Sequence, residues 1–352
     1  MSLKERLADE IALDGPITVA EFMTRCLQDP REGYYATRPA LGERGDFITA
    51  PLVSQMFGEL IGLWAVETWM RLGSPDRFHF VEVGPGDGTL MSDVLRAAKV
   101  APGFLDAAEV WLVETSEPLR ARQRERLGEL HWAGDLSEVP HGAPPIVIAN
   151  ELLDCLPARQ FVRTETGWAE RLVGVSGEGL AFGLTPLPVP PAADLPDGPP
   201  GEVLEISPAQ AAFGQILGER IAAEGGAALL IDYGRDEPGF GDTLQALKGH
   251  EKVDPLAAPG EADLTVHVDF PTVLAAARKA GAETTCLTQG EFLRRLGIEH
   301  RAAVLTRAHP DRAETIARQL DRLVAPDQMG ELFKVACIHA PGLVPPGFEE
   351  AT

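Results

Sequence analysis

From residue 78 onward, short runs that are apolar at nearly every position alternate with longer stretches in which apolar residues return every three or four positions. The first pattern belongs to strands buried on both faces, the second to helices that lay one face on a core. The runs predict strands over Phe78–Val83, Val110–Glu114, His131–Ala133, Ile146–Asn150, Ala227–Tyr233, Glu283–Thr288 and Lys334–His339. Helices are predicted over Leu90–Ala98, Glu117–Leu127, Pro208–Glu224, Pro271–Ala280 and Ala313–Leu323. Such alternation implies a mostly parallel sheet with helices on both faces, and a ligand beyond the carboxyl ends of the strands.

Residues 1–75 read as mainly helical, with helices over Ile17–Leu27 and Ser54–Leu72 and Ser54 as the N-cap of the second. Between them "DPREGYYATRPALGERGDFITAP" is rich in Gly and Pro and carries Tyr34, Tyr35 and Phe47. A loop this long inside a compact protein reads as a lid or binding loop. Two segments break the alternation. Residues 159–206 read as a β-rich insertion that ends in a proline-rich linker, and 234–269 as an irregular insertion. The organisation expected is a helical cap and lid loop over 1–75 and a core over 76–158 and 207–340, with the two insertions added to it.

Composition changes this picture in two ways. At 45% hydrophobic and 24% charged the 352 residues suit a soluble protein. No apolar run approaches the roughly 18 residues that a membrane helix needs. The start, "MSLKERLADEIALDG", has the layout of neither a signal peptide nor a mitochondrial presequence, so the cytoplasm is the expected compartment. Four scattered cysteines form no CxxC pair, which predicts reduced thiols and no zinc site. The second change is charge: 31 Lys and Arg stand against 53 Asp and Glu, a net −22. That surface repels nucleic-acid phosphates and suits a basic protein or peptide, although acidity for solubility alone explains it equally well.

The candidate chemistry begins at the end of the first core strand, "VEVGPGDGTL". Gly84, Gly86 and Gly88, with Pro85 and Asp87 between them, space the glycines as GxGxG, and Thr89 stands where a dinucleotide fingerprint needs its third glycine. No Gly-Lys-Ser/Thr follows, so a P-loop fails too. Glu82 on the strand would repel a phosphate and welcome a cation. An ammonium-bearing, phosphate-free nucleoside, S-adenosylmethionine (SAM), fits this turn, because glycines let the backbone approach it closely. Glu114 ends the next strand, where a carboxylate can accept both ribose hydroxyls. Asp135 follows the third and could accept from an adenine amino group, with Trp132 or Leu136 against the ring. Each has a plainer reading as a tight turn or a solvated acid; three acids after three successive strands favour the cofactor.

"IVIANELLDCLPARQF" places Asn150, Glu151 and Asp154 past the fourth strand, where acceptor meets cofactor. If the acceptor is an arginine, paired carboxylates are the natural clamp for its planar guanidinium. Glu151 and Asp154 share a face if this turn is helical; acids that merely complement a helix dipole are the plainer reading. Asp232 and Tyr233 end another strand, and His267 with Asp269 begins a helix. His267 is either a general base or a packing residue.

Taken in order, "PITVAEFM", "DPREGYY", "GDFITAPLVSQMFGELIGLW", "VEVGPGDGTLMSDVLR", "ANELLDCLPARQF", "LLIDYG", "TLQALKGH", "PGEADLTVHVDF", "TTCLTQGEFLRRLGI" and "QMGELFKV" resemble the MidA-like family of SAM-dependent methyltransferases over nearly the whole chain. Mitochondrial members of that family are complex I assembly factors. The resemblance implies the class I, Rossmann-like, seven-stranded methyltransferase fold and methylation of a protein arginine, in the mitochondrial members symmetric dimethylation of a complex I core subunit. It puts Glu82, Gly84, Gly86, Glu114 and Asp135 around the cofactor, Thr49, Pro51 and Ser54 over it, and Asn150 and Glu151 at the transfer site. Cys155 replaces the expected Ala, and Leu52 a common Glu. The short N-terminus points to a bacterial member. Two further readings stay open: an assembly or binding factor that uses the fold as a scaffold, suggested by the insertions, and a small-molecule methyltransferase. A homodimer is also possible.

Overall fold

Seven of the apolar runs form one sheet in the computed structural model, which describes residues 1–37, 49–177, 179–186 and 195–349. Phe47 and most of the proline-rich linker lie outside the described residues. The strands are β1 (Phe78–Val83), β2 (Ala108–Val113), β3 (His131–Ala133), β4 (Pro145–Asn150), β5 (Ala227–Arg235), β6 (Glu283–Thr288) and β7 (Phe333–His339). Their spatial order is β6–β7–β5–β4–β1–β2–β3, and β7 alone runs opposite in direction to the other six. The order reverses between β1 and β4, so a crevice opens beyond their carboxyl ends.

Both faces of the sheet are covered, which is why the central strands are apolar at consecutive positions. Phe78, Phe80, Ile146, Ile148, Leu229 and Ile231 pack toward helices α1 (Gln55–Arg71) and α2 (Thr89–Ala98). The alternate residues Val81, Val83, Val147, Ala149, Ala228 and Leu230 pack with Leu217 and Ile221 of α4 (Pro208–Glu224) and Phe270, Val273 and Leu274 of α5 (Phe270–Lys279). Helix α3 (Glu117–Leu127) joins β2 to β3. Ser54 caps α1, its Oγ accepting from Met56 N at 3.2 Å.

The sequence expectations need four corrections. The first N-terminal stretch starts as a strand: Ile17–Thr18 pairs with Leu172 and Val173 of the insertion, and its helix is Val19–Gln28. The segment 234–269 is not irregular. Gln245–Lys248, Glu251–Val253 and Asp263–Thr265 form a small antiparallel sheet, and Val268–Asp269 pairs with the end of β5. His267 starts no helix, since α5 begins at Phe270 with Asp269 as its cap. Helices also occupy Gln289–Arg295 and Ile298–Ala308, where none was predicted.

The insertion is β-rich, with strands Arg159–Thr164, Gly167–Ser176, Gly179–Leu184 and Val203–Ile206. A separate apolar cluster joins the chain's outlying parts. Leu3, Leu7, Phe22 and Tyr34 of the N-terminal region meet Val173 of the insertion and Ala246 and Leu264 of the small sheet. No helix among the described residues is long and apolar enough to cross a membrane.

Candidate active site

At the end of β1 the backbone turns through three left-handed glycines, Gly84 (φ 70°), Gly86 (φ 55°) and Gly88 (φ 80°). An L side chain is strained in that region, and a Cβ on Gly84 would stand 2.8 Å from Leu152 Cδ1. Gly84 N donates to Val113 O at 3.0 Å and Gly88 N to Pro85 O at 2.9 Å, which fixes the bend. Asp87 Oδ1 accepts from Thr89 N and Oγ1 at 3.0 and 2.7 Å. Glu82 is only 2% exposed, and its Oε2 has no partner among the described residues. Burial, with the charge of Asp87 behind it, pushes its carboxyl up to about 8.

The other two strand-end acids are held in place by neighbours. Glu114 accepts from Ser116 N at 2.8 Å and from Gln123 Nε2 at 3.4 Å; burial raises its pKa. Asp135 accepts from Ser137 N at 2.9 Å, and hydrogen bonds from Ser137 hold its carboxyl below the usual range. Gln123, from α3, was not foreseen. Fully buried, it donates to Gly86 O at 2.7 Å and accepts from Trp132 Nε1 at 2.9 Å, so one amide ties the glycine bend to Glu114 and to β3. The available signal was a polar residue on the helix stripe Leu119, Gln123, Leu127.

A cleft runs along these ends. Its wall includes Thr49, Pro51, Leu52, Glu82, Gly84, Pro85, Gly86, Asp87, Asn150 and Glu151. Ser54, Gly88, Glu114, Asp135 and Leu136 are not on that wall. Ser54 is buried as a helix cap, and Leu136 packs in the core beside Val113 and Val139.

Past β4, residues 151–156 turn without forming a helix, so helical spacing does not relate Glu151 to Asp154. Glu151 itself is left-handed (φ 50°), an uncommon state for a non-glycine residue. Its N donates to Ile231 O at 2.8 Å, and its Oε1 accepts from Asn150 Nδ2 at 3.0 Å and Ala50 N at 2.9 Å. The Oε2 is buried without a partner among the described residues, and burial pushes the carboxyl up to about 8.

Behind Glu151 lie more acids. Asp154 and Asp232 are buried, and desolvation and mutual repulsion raise the Asp154 carboxyl well above its usual range. Asp263, from the small sheet, accepts from the Tyr35 hydroxyl at 2.7 Å. Burial raises the Cys155 thiol strongly, with Asp154 next in effect. No Lys or Arg forms an ion pair with Glu151, Asp154 or Asp232 among the described residues. His267 stands beyond Tyr233, edge-on at 5.5 Å, its pKa lowered by burial and then by Arg235 and Lys252. It is not on the cleft wall.

The family described as "Putative S-adenosyl-L-methionine-dependent methyltransferase" matches residues 60–288. A mouse protein named protein arginine methyltransferase NDUFAF7, mitochondrial, is 37% identical over 92% of this chain and 81% of its own. This chain belongs to the MidA-like family of SAM-dependent methyltransferases. A Drosophila melanogaster homologue of that mouse protein is also 37% identical, over 97% of this chain and 86% of its own. Among solved structures, a COG1565 superfamily protein of Burkholderia thailandensis bound to S-adenosyl-homocysteine superposes with a TM-score of 0.88 at 29% identity, covering 99% of this chain and 95% of that one.

SAM is the cofactor of this MidA-like chain, and the cleft suits it chemically. Among the described residues, Glu82 offers a buried carboxyl oxygen without a partner, and the wall holds no Lys or Arg. That is a place for a cation rather than a phosphate.

Proposed function

We propose that this methyltransferase acts on an arginine of a protein substrate. The observation that carries the reading is Glu151. One of its oxygens is fixed by Asn150 and Ala50, and the other is buried beside the cofactor cleft with no partner among the described residues, and Asp154 lies behind it. A buried carboxylate without a cation is costly unless its ligand brings the charge. A guanidinium is a permanent, planar cation that fits such a site.

In this reading Glu82, Gly84, Pro85, Gly86 and Asn150 hold the cofactor, and Thr49 and Pro51 cover it. Glu114, with Gly88, Asp135 and Leu136 behind the wall, shapes the nucleoside end. Ser54 fixes the start of the helix below. The bound cofactor supplies an electrophilic methyl group. Glu151 draws the guanidinium's charge toward the nitrogen it faces, Asp154 supports it from behind, and another nitrogen attacks. That nitrogen gains the methyl and loses a proton. The guanidinium beside Glu151 favours its ionised form, and that carboxylate receives the proton.

The names of the relatives support a protein acceptor, and the family resemblance of the sequence makes a complex I subunit the first one to try. The four free cysteines fit a reducing compartment such as a cytoplasm. The test is Glu151→Gln. We expect S-adenosylhomocysteine affinity within about twofold of wild type by calorimetry. Methyl transfer from labelled cofactor to extract proteins should fall by roughly 10². Mass spectrometry should place the wild-type methyl on arginine; a label found on lysine or only on metabolites removes the reading.

A further inference from the structure

Asp232 is the buried acid that the proposed chemistry leaves unused. It ends β5 beside the acceptor turn, is 0% exposed, and is not on the cleft wall. Its Oδ2 accepts from Leu153 N at 2.8 Å and Asp154 N at 3.2 Å, and its Oδ1 accepts from Tyr233 N at 2.8 Å. Both oxygens are thus taken by backbone donors, and neither is turned to a ligand.

Those bonds have a specific mechanical effect. The turn after β4 hangs from the end of β5 at three points: Glu151 N on Ile231 O, and Leu153 N and Asp154 N on Asp232. Glu151 sits at the first of them with a φ of 50°, a conformation that L residues hold only when their surroundings enforce it. A turn released from Asp232 lets Glu151 relax toward ordinary backbone angles, and its carboxylate then leaves Asn150 and Ala50. Full burial of an acid among other acids is expensive, so a carboxylate is not a casual choice for this post. It is suited to the task, because one charged oxygen can take two amide donors at once.

We infer that Asp232 is a positioning residue: through the amides of Leu153 and Asp154 it holds Glu151 in the strained conformation that presents its carboxylate to the acceptor. This rests on the assignment of Glu151 to the acceptor, but the holding itself is measurable without any methyl transfer. Ala50 is the reporter. Its N–H donates to Glu151 Oε1 and not to Asp232, so a change at Ala50 that follows substitution of Asp232 reports on Glu151.

The experiment is amide hydrogen exchange on the full chain, wild type and Asp232→Asn, with S-adenosylhomocysteine affinity by calorimetry as a control. We expect the amides of Leu153, Asp154 and Ala50 each to exchange at least tenfold faster in the variant. Amides in β1 and β2 should be unchanged, and S-adenosylhomocysteine affinity should stay within threefold. Faster exchange at Leu153 and Asp154 with Ala50 unchanged assigns Asp232 a local structural role and overturns the inference. So does unchanged exchange at all three. If Asp232→Asn does not fold, Asp232→Ser, which retains one small acceptor, is measured in the same way. As the functional arm, label transfer to extract proteins should fall at least tenfold in a variant that still binds S-adenosylhomocysteine. If Ala50 loosens while transfer persists, the holding stands and the assignment of Glu151 to the acceptor fails.

Discussion

Gln123 Nε2 donates to the carbonyl oxygen of Gly86 at 2.7 Å, so a helix that follows β2 braces the bend that follows β1. The same amide faces Glu114 and Trp132, which makes it the link between three successive strand ends. Gln123→Met keeps the bulk and removes the bonds. S-adenosylhomocysteine binding measured by calorimetry should weaken about tenfold, the roughly 1.4 kcal/mol that losing such buried bonds costs. Unfolding stability should fall by a similar amount.

The left-handed bend at Gly86 gives a sharper test. Gly86 has a φ of 55°, which a β-branched residue does not adopt without strain. Gly86→Val should abolish S-adenosylhomocysteine binding while far-ultraviolet circular dichroism still shows a folded chain. Undiminished affinity in that variant would remove the bend from the cofactor site.

Glu82 and Glu151, both pushed up to about 8 from an ordinary 4.5, give the ligand-free protein a characteristic pH dependence. The folded chain holds protons that the unfolded chain has already released. The stability these groups contribute is therefore complete below pH 4.5 and is lost as pH rises through about 8. Denaturation midpoints should fall between pH 5 and pH 8, and Glu82→Gln should flatten the fall. An ammonium group of the ligand placed beside Glu82 favours its ionised form. S-adenosylhomocysteine binding at pH 7 should therefore release protons, seen in calorimetry as an enthalpy that depends on the buffer.

Tyr35 reaches Asp263 from far along the chain, at 2.7 Å. Tyr35→Phe leaves that carboxylate short of a donor in a buried place, and unfolding by urea should show a loss of about 1–3 kcal/mol. S-adenosylhomocysteine affinity should be unaffected, because neither residue is on the cleft wall.

The sheet was readable because its strands are apolar at successive positions and are punctuated by glycine or an acid; Phe78–Val83 ending at Gly84 is the plainest case. Glu82, Gly84, Pro85, Gly86, Asn150 and Glu151 could be singled out for the same reason, since each lies at or just past a strand end, whereas Thr49 and Pro51 came only from the family resemblance of their loop. The small sheet within 234–269 was hidden, because strands of three or four residues are too short to display a period. Helix Gln289–Arg295 is likewise only seven residues long. Asp263 and Gln123 were missed for another reason. Their partners are Tyr35 and Gly86, and no spacing rule links residues that meet only through tertiary packing.

The two halves of the site become available at different moments in the life of the chain. The residues named on the cleft wall all fall between Thr49 and Glu151, whereas Asp232 and Asp263 arrive only with the third quarter of the sequence. A ribosome that has released the first 200 residues has already delivered that wall, but not the β5 residues from which the acidic turn behind it hangs. Shortened versions of this protein, natural or made in the laboratory, should be judged by that order. A fragment ending before residue 227 lacks β5 and the support it gives to Glu151, so cofactor retention by such a piece says nothing about its competence to modify another protein.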